Sequence, residues 1–320
     1  MKIAFRIDIS SEIGTGHFYR MNALADAFTY MEHQCDFYKG EDEPIDYSGY
    51  DIIILDTYLV TDDYIASLNS PDRLVVCYDD NALFTYECDV LLNANLHANE
   101  LNFRFGNKKP VLLLGGKYAL LRGEFRDSSP LEVHENANNV FVCFGGSDAQ
   151  DMTPKVVRTL KEIEGINLSV VLGAYTKNDD EVLPLSDKST IVYKTPKEIS
   201  KVIKNCEVAV TAAGSMIYEL ASLGVPSIVI VQADNQELIA EYMARNELLI
   251  NVGSSESNIL SDLKREVSSL LLDYKKRKSL SKNMLENVDK NGAMNAADEI
   301  LRIASEHMNK KGECRHEETN

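Results

Sequence analysis

A histidine and an arginine follow a loop that contains two glycines, and together they could move a proton beside a bound anion. The loop holds Gly14 and Gly16, and His17 and Arg20 come after it at the expected start of a helix. The positive end of a helix dipole disfavours a second positive charge, which favours the neutral imidazole that can accept a proton. Arg20 lies one turn further on and could reach a phosphate or a carboxylate. Alternatively, His17 is only a helix-capping or surface histidine, and the loop alone leaves both hypotheses open.

The residues around this loop predict a strand, the loop and a helix in succession. An apolar run from Ile3 to Ile9 predicts a buried first strand. Apolar residues then recur at spacings of three and four, as expected for one helix face: Phe18, Met21, Ala25 and Phe28. This succession opens many nucleotide-binding α/β domains. The NAD fingerprint needs a small residue where Tyr19 stands, so NAD binding is not predicted.

Length and composition narrow the class of protein. The chain has 320 residues, 44% of them hydrophobic and 26% charged, which is typical of a globular protein with two domains. A net charge of −17 argues against nucleic-acid binding and requires that any bound anion be held by local donors. Because signal-peptide layout and membrane-length apolar runs are both lacking, we expect a cytoplasmic protein without stable membrane insertion. The six cysteines form no CxxC pair, which favours reduced, buried thiols.

Strand and helix patterns alternate along the chain, which predicts parallel sheets covered by helices. In the first half, three predicted strands end in polar residues, at Asp56–Tyr58, Asp79–Asn81 and Asn93–Asn95. Ligands of open α/β sheets bind outside the carboxyl ends of the strands, so three such ends could share one site. Asp and Asn also cap the helices that follow strands, and any one of these ends alone therefore decides little.

A polar interval from Gly123 to Asn139 is predicted as an interdomain linker. The expected domains are an N-terminal domain of residues 1–135 and a C-terminal domain of residues 136–310, followed by a polar tail of residues 311–320. Each domain is expected to be Rossmann-like, and the two are expected to face a central cleft. A last helix from Gly292 to Met308 could pack back on the N-terminal domain, and the tail is expected to be disordered.

Two turns in the second half place small residues where a strand meets a helix. One is Gly145-Gly146-Ser147, and the other is Gly214-Ser215, after a strand predicted from Cys206 to Val210. At such a turn the backbone can approach a phosphate closely, and a helix N-terminus can hold it without side-chain charge. Glu219 lies one turn into the next helix and could accept hydrogen bonds from a ribose diol. A solvated surface glutamate would have the same spacing.

The stretch around the second turn is specific to a family. Ala-Ala-Gly-Ser-Met-Ile-Tyr-Glu-Leu-Ala-Ser-Leu-Gly-Val-Pro-Ser-Ile-Val-Ile-Val, followed by Asn-Gln, resembles the nucleotide-donor half of GT-B glycosyltransferases of the MurG type. The resemblance implies a GT-B fold. It also implies that Gly214 and Ser215 hold a diphosphate, that Glu219 holds the ribose, and that Asn235 and Gln236 approach the sugar.

Six motifs in the first half carry a second resemblance. They are Phe5-Arg6-Ile7-Asp8, Ile13-Gly14-Thr15-Gly16-His17-Phe18-Tyr19-Arg20, Leu55-Asp56-Thr57-Tyr58, Tyr78-Asp79-Asp80, Leu91-Leu92-Asn93-Ala94-Asn95 and Tyr118-Ala119-Leu120-Leu121-Arg122. Together they resemble the PseG family, which hydrolyses UDP-2,4-diacetamido-2,4,6-trideoxy-β-L-altropyranose in pseudaminic acid biosynthesis for flagellin glycosylation. SpsG-like proteins of spore-coat polysaccharide share much of the pattern. One departure is Met21, where a cysteine is expected, and we expect it to be neutral for the chemistry.

The resemblance implies hydrolysis of the UDP-sugar at its anomeric carbon, with inversion and release of UDP. His17 would be the general base that activates water, and Tyr58 and Asn235 would orient the sugar or the water. Backbone amides and helix N-termini would stabilise the leaving diphosphate, so no metal and no cofactor is expected. The matching motifs give further substrate-binding residues: Arg6, Asp8, Gly14, Gly16, Arg20, Asp56, Asn95, Arg122, Gly145, Gly146, Ser147, Gly214, Ser215, Glu219 and Gln236.

The expected partners are a small-molecule UDP-sugar and water, with no nucleic acid, and the chain is expected to be a monomer. One rival hypothesis is an inverting GT-B glycosyltransferase that uses a UDP-sugar to build a spore-coat or surface polysaccharide. Another is a non-catalytic nucleotide-sugar-binding protein, in which His17 would be dispensable. The fold alone does not separate these three hypotheses.

Overall fold

The computed structural model describes residues 1–8, 16–39, 44–254 and 258–317, with side chains up to residue 309. The chain forms two compact units. Unit 1 comprises Met1–Gly123 and Lys290–Asn320, and unit 2 comprises Glu124–Asp289. The sequence placed this boundary at residues 135 and 136 and assigned the last helix to the C-terminal domain, with the option that it packs back on the N-terminal domain. The contacts of the folded chain group that helix with the N-terminal segment.

Unit 1 is built on a parallel sheet that has six strands among the described residues. These are β1 (Lys2–Ile7), β2 (Gln34–Lys39), β3 (Ile52–Asp56), β4 (Leu74–Tyr78), β6 (Val90–Asn93) and β8 (Val111–Leu114), in the spatial order β2-β1-β3-β4-β6-β8. A small parallel pair lies beside them, β5 (Thr85–Tyr86) with β7 (Arg104–Phe105). The helices are α1 (Gly16–Tyr30), α2 (Asp62–Ser67) and α11 (Gly292–Glu317), with 3₁₀ turns at Ala98–Glu100 and Gly116–Tyr118.

The central strands β3, β4 and β6 of unit 1 are buried at every position because both faces of the sheet are covered. Ile52 and Ile54 of β3 pack in a cluster with residues of α1 and α11. Ile53 and Leu55, which alternate with them, pack in a second cluster with Ile65 of α2. Successive side chains of a strand point to opposite faces, so a strand buried on both sides is a continuous apolar run.

Helix α1 buries a different face from the one predicted. Its fully buried face contains His17, Met21, Leu24 and Phe28, spaced by four, three and four residues. Phe18 was expected on the buried face and is instead 41% exposed. The apolar spacing of three and four is satisfied equally well by a face that starts one residue earlier, and here a polar histidine starts it.

Unit 2 is built on a second parallel sheet with six strands among the described residues. They are β9 (Asn139–Cys143), β10 (Asn167–Leu172), β11 (Thr190–Lys194), β12 (Val208–Ala212), β13 (Ser227–Val231) and β14 (Ile250–Ser254), in the order β11-β10-β9-β12-β13-β14. The helices are α3 (Gly123–Arg126), which begins at the unit boundary, α4 (Met152–Leu160), α5 (Asp179–Val182), α6 (Ile199–Ile203), α7 (Met216–Ser222), α8 (Glu237–Arg245), α9 (Ile259–Leu272) and α10 (Tyr274–Asn287), with 3₁₀ turns at Leu183–Leu185 and Asp234–Gln236.

Strand β12 begins later than the apolar pattern predicted. The sequence placed the strand at Cys206–Val210, and the structure places it at Val208–Ala212. Cys206 still belongs to the turn that follows α6, where its main-chain N–H donates to the carbonyl of Ile203 at 2.9 Å. The strand therefore continues to Ala212, immediately before the small residues of the second turn.

The predicted linker is packed rather than extended. The main-chain N–H of Leu131 donates to the carbonyl of Leu223 at 2.7 Å, and Arg277 donates to the carbonyls of His134 and Glu135 at 2.8 Å each. At the other end of the chain, the helical backbone of α11 continues through Glu317, into the segment predicted to be a disordered tail. Residues 318–320 lie outside the described residues.

The strand order of each unit contains one point where the sheet changes its direction of growth. In unit 1 the chain moves from β1 outward to β2 and then returns to place β3 on the other side of β1. In unit 2 the same reversal lies between β9 and β12. Ligands of open α/β sheets bind at the carboxyl ends of the strands that flank this point. The loops after β1, β3, β9 and β12 are therefore the places to look for a site.

Candidate functional site

His17 is buried at the beginning of α1 and lies against a carboxylate at the end of β3. It is 5% exposed, which contradicts the alternative of a surface histidine. Its Nδ1 lies 2.8 Å from Oδ1 of Asp56. Nη2 of Arg20 also lies 3.0 Å from this Nδ1. In the tautomer whose Nδ1–H donates to Asp56, Nε2 has a free electron pair. The pair can therefore accept a proton at Nε2, which is what a general base requires.

Arg20, which lies one turn further along α1, donates hydrogen bonds to Asp56. Its Nε donates to Oδ2 of Asp56 at 2.7 Å, and its Nη2 donates to Oδ1 of the same carboxylate. Nη1 donates to Asp80, and the guanidinium lies 4.1 Å from the ring centroid of Tyr78. Burial alone would raise the pKa of Asp56, but the Arg20 guanidinium outweighs it and the pKa lies below its ordinary value. Asp56 is therefore ionised and can hold the His17 proton.

Asp80 joins three segments of unit 1. Besides Arg20, it accepts hydrogen bonds from the Tyr58 hydroxyl at 3.1 Å and from Nδ2 of Asn95 at 3.0 Å. The Tyr58 ring meets the His17 ring edge to face, with centroids 4.9 Å apart. Burial, followed by the nearby Asp80 charge, raises the pKa of Tyr58, so its hydroxyl is a neutral donor. Asp80 was not among the predicted site residues, although it was noted at a strand end.

Asp8 holds the segment that carries Tyr58. It is 3% exposed, and its Oδ2 accepts the Thr57 hydroxyl at 2.6 Å and the main-chain N–H of Tyr58 at 2.8 Å. Arg6 donates to the same Thr57 hydroxyl oxygen at 3.2 Å. These contacts fix the loop after β3, so the structure gives Asp8 and Arg6 a positioning arrangement behind Tyr58. Thr57 was not predicted as a site residue.

The remaining predicted substrate-binding residues of unit 1 are Gly14, Gly16 and Arg122. Gly16 begins α1, and Gly14 lies outside the described residues. The Arg122 guanidinium lies 5.2 Å from the ring centroid of Tyr19. The segment before Arg122 is packed against the start of α11, where a Cβ on Gly292 would lie 2.3 Å from the main-chain nitrogen of Ala119. Only glycine allows this approach, so α11 supports the carboxyl edge of the sheet.

The Gly214 turn of unit 2 has open space bordered by a hydrogen-bond donor. A Cβ built on Gly214 meets a single described atom within 4 Å, Nε2 of Gln236 at 4.0 Å. The Gln236 amide is oriented, because its Oε1 accepts the main-chain N–H of Gln232 at 3.0 Å and its NH₂ group therefore faces the turn. Ser215 and Asn235 are exposed beside it. An anion or a sugar hydroxyl at Gly214 would meet donors only a short distance away.

The remaining predicted residues of unit 2 are Glu219, in α7 after the Gly214 turn, and the three residues of the first turn, Gly145-Gly146-Ser147. Glu219 is 8% exposed, which contradicts the alternative of a solvated surface glutamate. Gly145 has a φ of 78°, and Gly146 accepts a hydrogen bond from the main chain of Tyr175 at 2.9 Å. Ser147 is half-buried. The next residue, Asp148, is buried and was missed by the sequence analysis.

In the part of the chain whose side chains are described, no group of three or more His, Cys, Asp or Glu residues is placed to hold a metal ion. Among the described helices, none combines the length and the apolar character needed to cross a membrane. The five described cysteines are free thiols.

Comparisons with known proteins place these observations in a family. The family model of the glycosyltransferase family 28 C-terminal domain matches residues 139–300, half of the chain. A protein of Methanocaldococcus jannaschii described as uncharacterized is 26% identical over 285 residues, which cover 77% of this chain and 59% of that protein. The UDP-2,4-diacetamido-2,4,6-trideoxy-β-L-altropyranose hydrolase of Campylobacter jejuni is 23% identical over 267 residues, which cover 77% of this chain and 97% of that protein.

Among solved structures, Acinetobacter baumannii MurG superposes with a TM-score of 0.63 at 12% identity, covering 94% of this chain and all of that one. This similarity shows the fold, and it confirms the GT-B architecture of two Rossmann-like domains that was expected from the sequence. The resemblance to the MurG type and to the PseG family is likewise confirmed. The chain belongs to the glycosyltransferase family 28 C-terminal domain family.

Proposed function

We propose that this protein hydrolyses UDP-2,4-diacetamido-2,4,6-trideoxy-β-L-altropyranose to UDP and the free sugar, with inversion at the anomeric carbon. One observation carries the proposal: a buried imidazole, His17, has its Nδ1 2.8 Å from the carboxylate of Asp56, which leaves Nε2 available as a base. The similarity to the Campylobacter jejuni hydrolase, which is aligned over 97% of its own length, supports the substrate and the reaction.

In the proposed reaction His17 acts on water. Nε2 accepts a proton from the water whose oxygen attacks the anomeric carbon, and the bond between that carbon and the diphosphate oxygen breaks. UDP leaves with the electron pair of that bond, and the sugar keeps the water oxygen in the inverted configuration. Asp56 and Asp80 carry two negative charges and Arg20 one positive charge, so an imidazolium at His17 completes a neutral cluster. Tyr58, edge-on to His17, orients the water or the sugar.

The nucleotide is assigned to unit 2 in this proposal. The open space at Gly214, with the Gln236 amide donor beside it, suits the diphosphate. The buried carboxylate of Glu219, in the first turn of the following helix, suits the ribose diol. Asn235 is assigned to the sugar, and the motif resemblance adds Asn95 and Arg122 of unit 1. The proposal includes a monomer that acts in the cytoplasm without a metal or a cofactor.

The test is the reaction of the purified protein with this UDP-sugar in ¹⁸O-labelled water, with no acceptor added. We expect rapid release of UDP, one ¹⁸O atom in the free sugar and none in UDP, and an inverted anomer in the first NMR spectra. A His17→Ala preparation made in parallel controls for contaminating hydrolases. Label in UDP would mean cleavage of a phosphorus–oxygen bond and would contradict the proposal.

A second candidate, an inverting glycosyltransferase, is favoured by the family match and by the MurG-like fold. It predicts that UDP is released only when an acceptor hydroxyl is supplied. Binding of the UDP-sugar without turnover under both conditions would instead favour a nucleotide-sugar-binding protein. The acceptor-free reaction therefore separates the hydrolase from the other two hypotheses, and the reaction with an acceptor separates those two from each other.

A further inference from the structure

Asp148 is a buried carboxylate that four hydrogen bonds connect to three separate parts of unit 2. It is 2% exposed and adopts a left-handed backbone conformation with a φ of 45°. Oδ1 accepts the main-chain N–H of Met152 at 2.9 Å and Nε2 of Gln232 at 3.2 Å. Oδ2 accepts the main-chain N–H of Thr153 and Nδ2 of Asn178, both at 2.8 Å. Both oxygens are therefore fully engaged.

Two of these bonds close the N-terminus of α4. The N–H groups of Met152 and Thr153 belong to the first turn of the helix, where a bound phosphate would otherwise be held. Asp148 supplies a negative charge at that position from within the chain. The first glycine turn, Gly145-Gly146-Ser147, therefore leads into a helix whose anion site is already occupied.

The Gln232 bond extends the influence of Asp148 to the second glycine turn. Gln232 follows β13, and its side chain is held by Asp148 while its carbonyl accepts Nε2 of Gln150 at 2.6 Å. Its main-chain N–H donates to Oε1 of Gln236. This last bond decides which end of the Gln236 amide faces Gly214. The orientation of the donor at Gly214 thus depends, through Gln232, on Asp148.

We infer that Asp148 is a positioning residue for nucleotide binding, which acts in two ways. It occupies the α4 N-terminus, so that the diphosphate does not bind there, and it fixes Gln232 so that Gln236 presents its NH₂ group at Gly214. This inference rests on the proposed function, because it assigns the diphosphate of the UDP-sugar to one of two candidate turns. Sequence spacing treats the two turns as equivalent, and the hydrogen bonds of Asp148 distinguish them.

The experiment is titration calorimetry with UDP, together with kcat and KM for UDP release, on Asp148→Asn, Gln232→Ala and the double variant. We expect each single variant to raise the Kd for UDP and the KM about tenfold and to leave kcat within about twofold. The double variant should be no worse than the weaker-binding single variant, because both changes break one pathway. Gln232→Ala keeps the α4 cap, so it tests the inference even if Asp148→Asn does not fold.

Asn178→Ala is the matched control, because it removes a partner of the same carboxylate on the side away from Gln232. We expect its Kd for UDP to stay within about twofold of the wild type. Wild-type affinity in Gln232→Ala, or tighter UDP binding by Asp148→Asn, would overturn the inference alone. Tighter binding would mean that Asp148 merely repels the ligand from α4. Failure of the wild-type protein to bind UDP would overturn the proposed function, and the inference with it.

Discussion

Each of the two sheets has one point where the strand order reverses, but the residues at the carboxyl ends of the strands there differ in charge. At the reversal point of unit 1, charged side chains neutralise one another, with Arg20 between Asp56 and Asp80 and His17 against Asp56. At the reversal point of unit 2, the Gly214 turn offers backbone, an oriented amide and open space. Asp148, a buried carboxylate at that edge, already has four donors.

The difference shows how one fold can divide binding from chemistry. Charges that are satisfied within the protein are poor ligands for a substrate, but they can set the protonation state and orientation of a neighbouring imidazole. Uncharged donors around open space suit an anion, especially in a protein whose net charge of −17 repels anions at long range. Under the proposed function, unit 1 carries the base and unit 2 carries the nucleotide.

The largest effect is expected from Asp56→Asn in unit 1. The amide keeps the shape of the side chain, but it cannot accept the His17 proton and both Arg20 bonds, so the imidazole loses its orientation. We expect kcat for UDP release to fall by about 10³-fold, as for other histidines deprived of their carboxylate. Rapid-quench measurement of UDP release checks this. Asp63→Asn, at an exposed position in α2, is the control. A loss smaller than about fivefold in Asp56→Asn would contradict the division of roles.

The next largest effect concerns the stability of unit 2, at a residue away from the carboxyl edges of both sheets. Arg277 is fully buried and donates to four main-chain carbonyls, those of Leu270, Leu271, His134 and Glu135. Arg277→Ala leaves these carbonyls without donors, and we expect the free energy of unfolding to fall by about 3 kcal/mol. Urea unfolding followed by circular dichroism measures it.

The same variant sharpens the comparison, because it should leave the UDP affinity of the folded protein unchanged at 25 °C. Arg302→Ala, which removes an arginine that forms surface ion pairs on α11, is the control and should unfold like the wild type. Equal stability of Arg277→Ala and the wild type would show that the carbonyls find other donors.

A smaller effect is expected from Gly214→Ala in unit 2. The added methyl group has space in the protein, since Nε2 of Gln236 at 4.0 Å is its sole near neighbour among the described residues, but it would stand where the diphosphate is proposed to bind. We expect unchanged unfolding and a Kd for UDP that rises at least about tenfold, the effect of losing one or two good contacts. Gly49→Ala is the matched control in unit 1, because a Cβ on Gly49 meets no described atom within 4 Å. Unchanged UDP affinity in Gly214→Ala would remove the diphosphate from this turn.

The smallest effect concerns how the free energy of unfolding depends on pH in the wild type and in Asp56→Asn. The pKa of Asp56 lies below its ordinary value, so the stability that its carboxylate contributes is complete above about pH 4 and is lost only as the pH falls through the lowered pKa. The difference in unfolding free energy between the wild type and Asp56→Asn should therefore not shrink as the pH falls from 8 to 5. A difference that shrinks between pH 7 and pH 5 would mean that Asp56 gains its proton in that range.

The strands and helices of this fold could be predicted from the sequence more fully than the contacts between them. Strands such as Leu74–Tyr78 and Ser227–Val231 are largely apolar runs, which the sequence pattern predicts as strands buried on both faces. Gly145, Gly214 and His17 were selected because local spacing marks strand-to-helix turns. The buried state of His17 and Glu219 was left open, because burial depends on what packs against a helix and not on the helix itself.

The contacts that define the sites could not be predicted from the local sequence pattern. Arg20 meets Asp80 across 60 positions of the chain, and Asp148 meets Gln232 across 84. Such pairs are set by the strand order, which a periodicity of two or 3.6 residues does not contain. For the same reason, the amphipathic pattern of α11 could not show which sheet it covers.

One measurement tests the division of roles most directly, namely single-turnover UDP release and UDP binding on the same preparation of His17→Ala. We expect UDP release to slow by at least about 10²-fold, the usual contribution of a general base, while the Kd for UDP stays within about twofold of the wild type. Release at the wild-type rate would contradict the role of His17. A Kd that rises in proportion to the lost rate would contradict the separation of chemistry in unit 1 from nucleotide binding in unit 2.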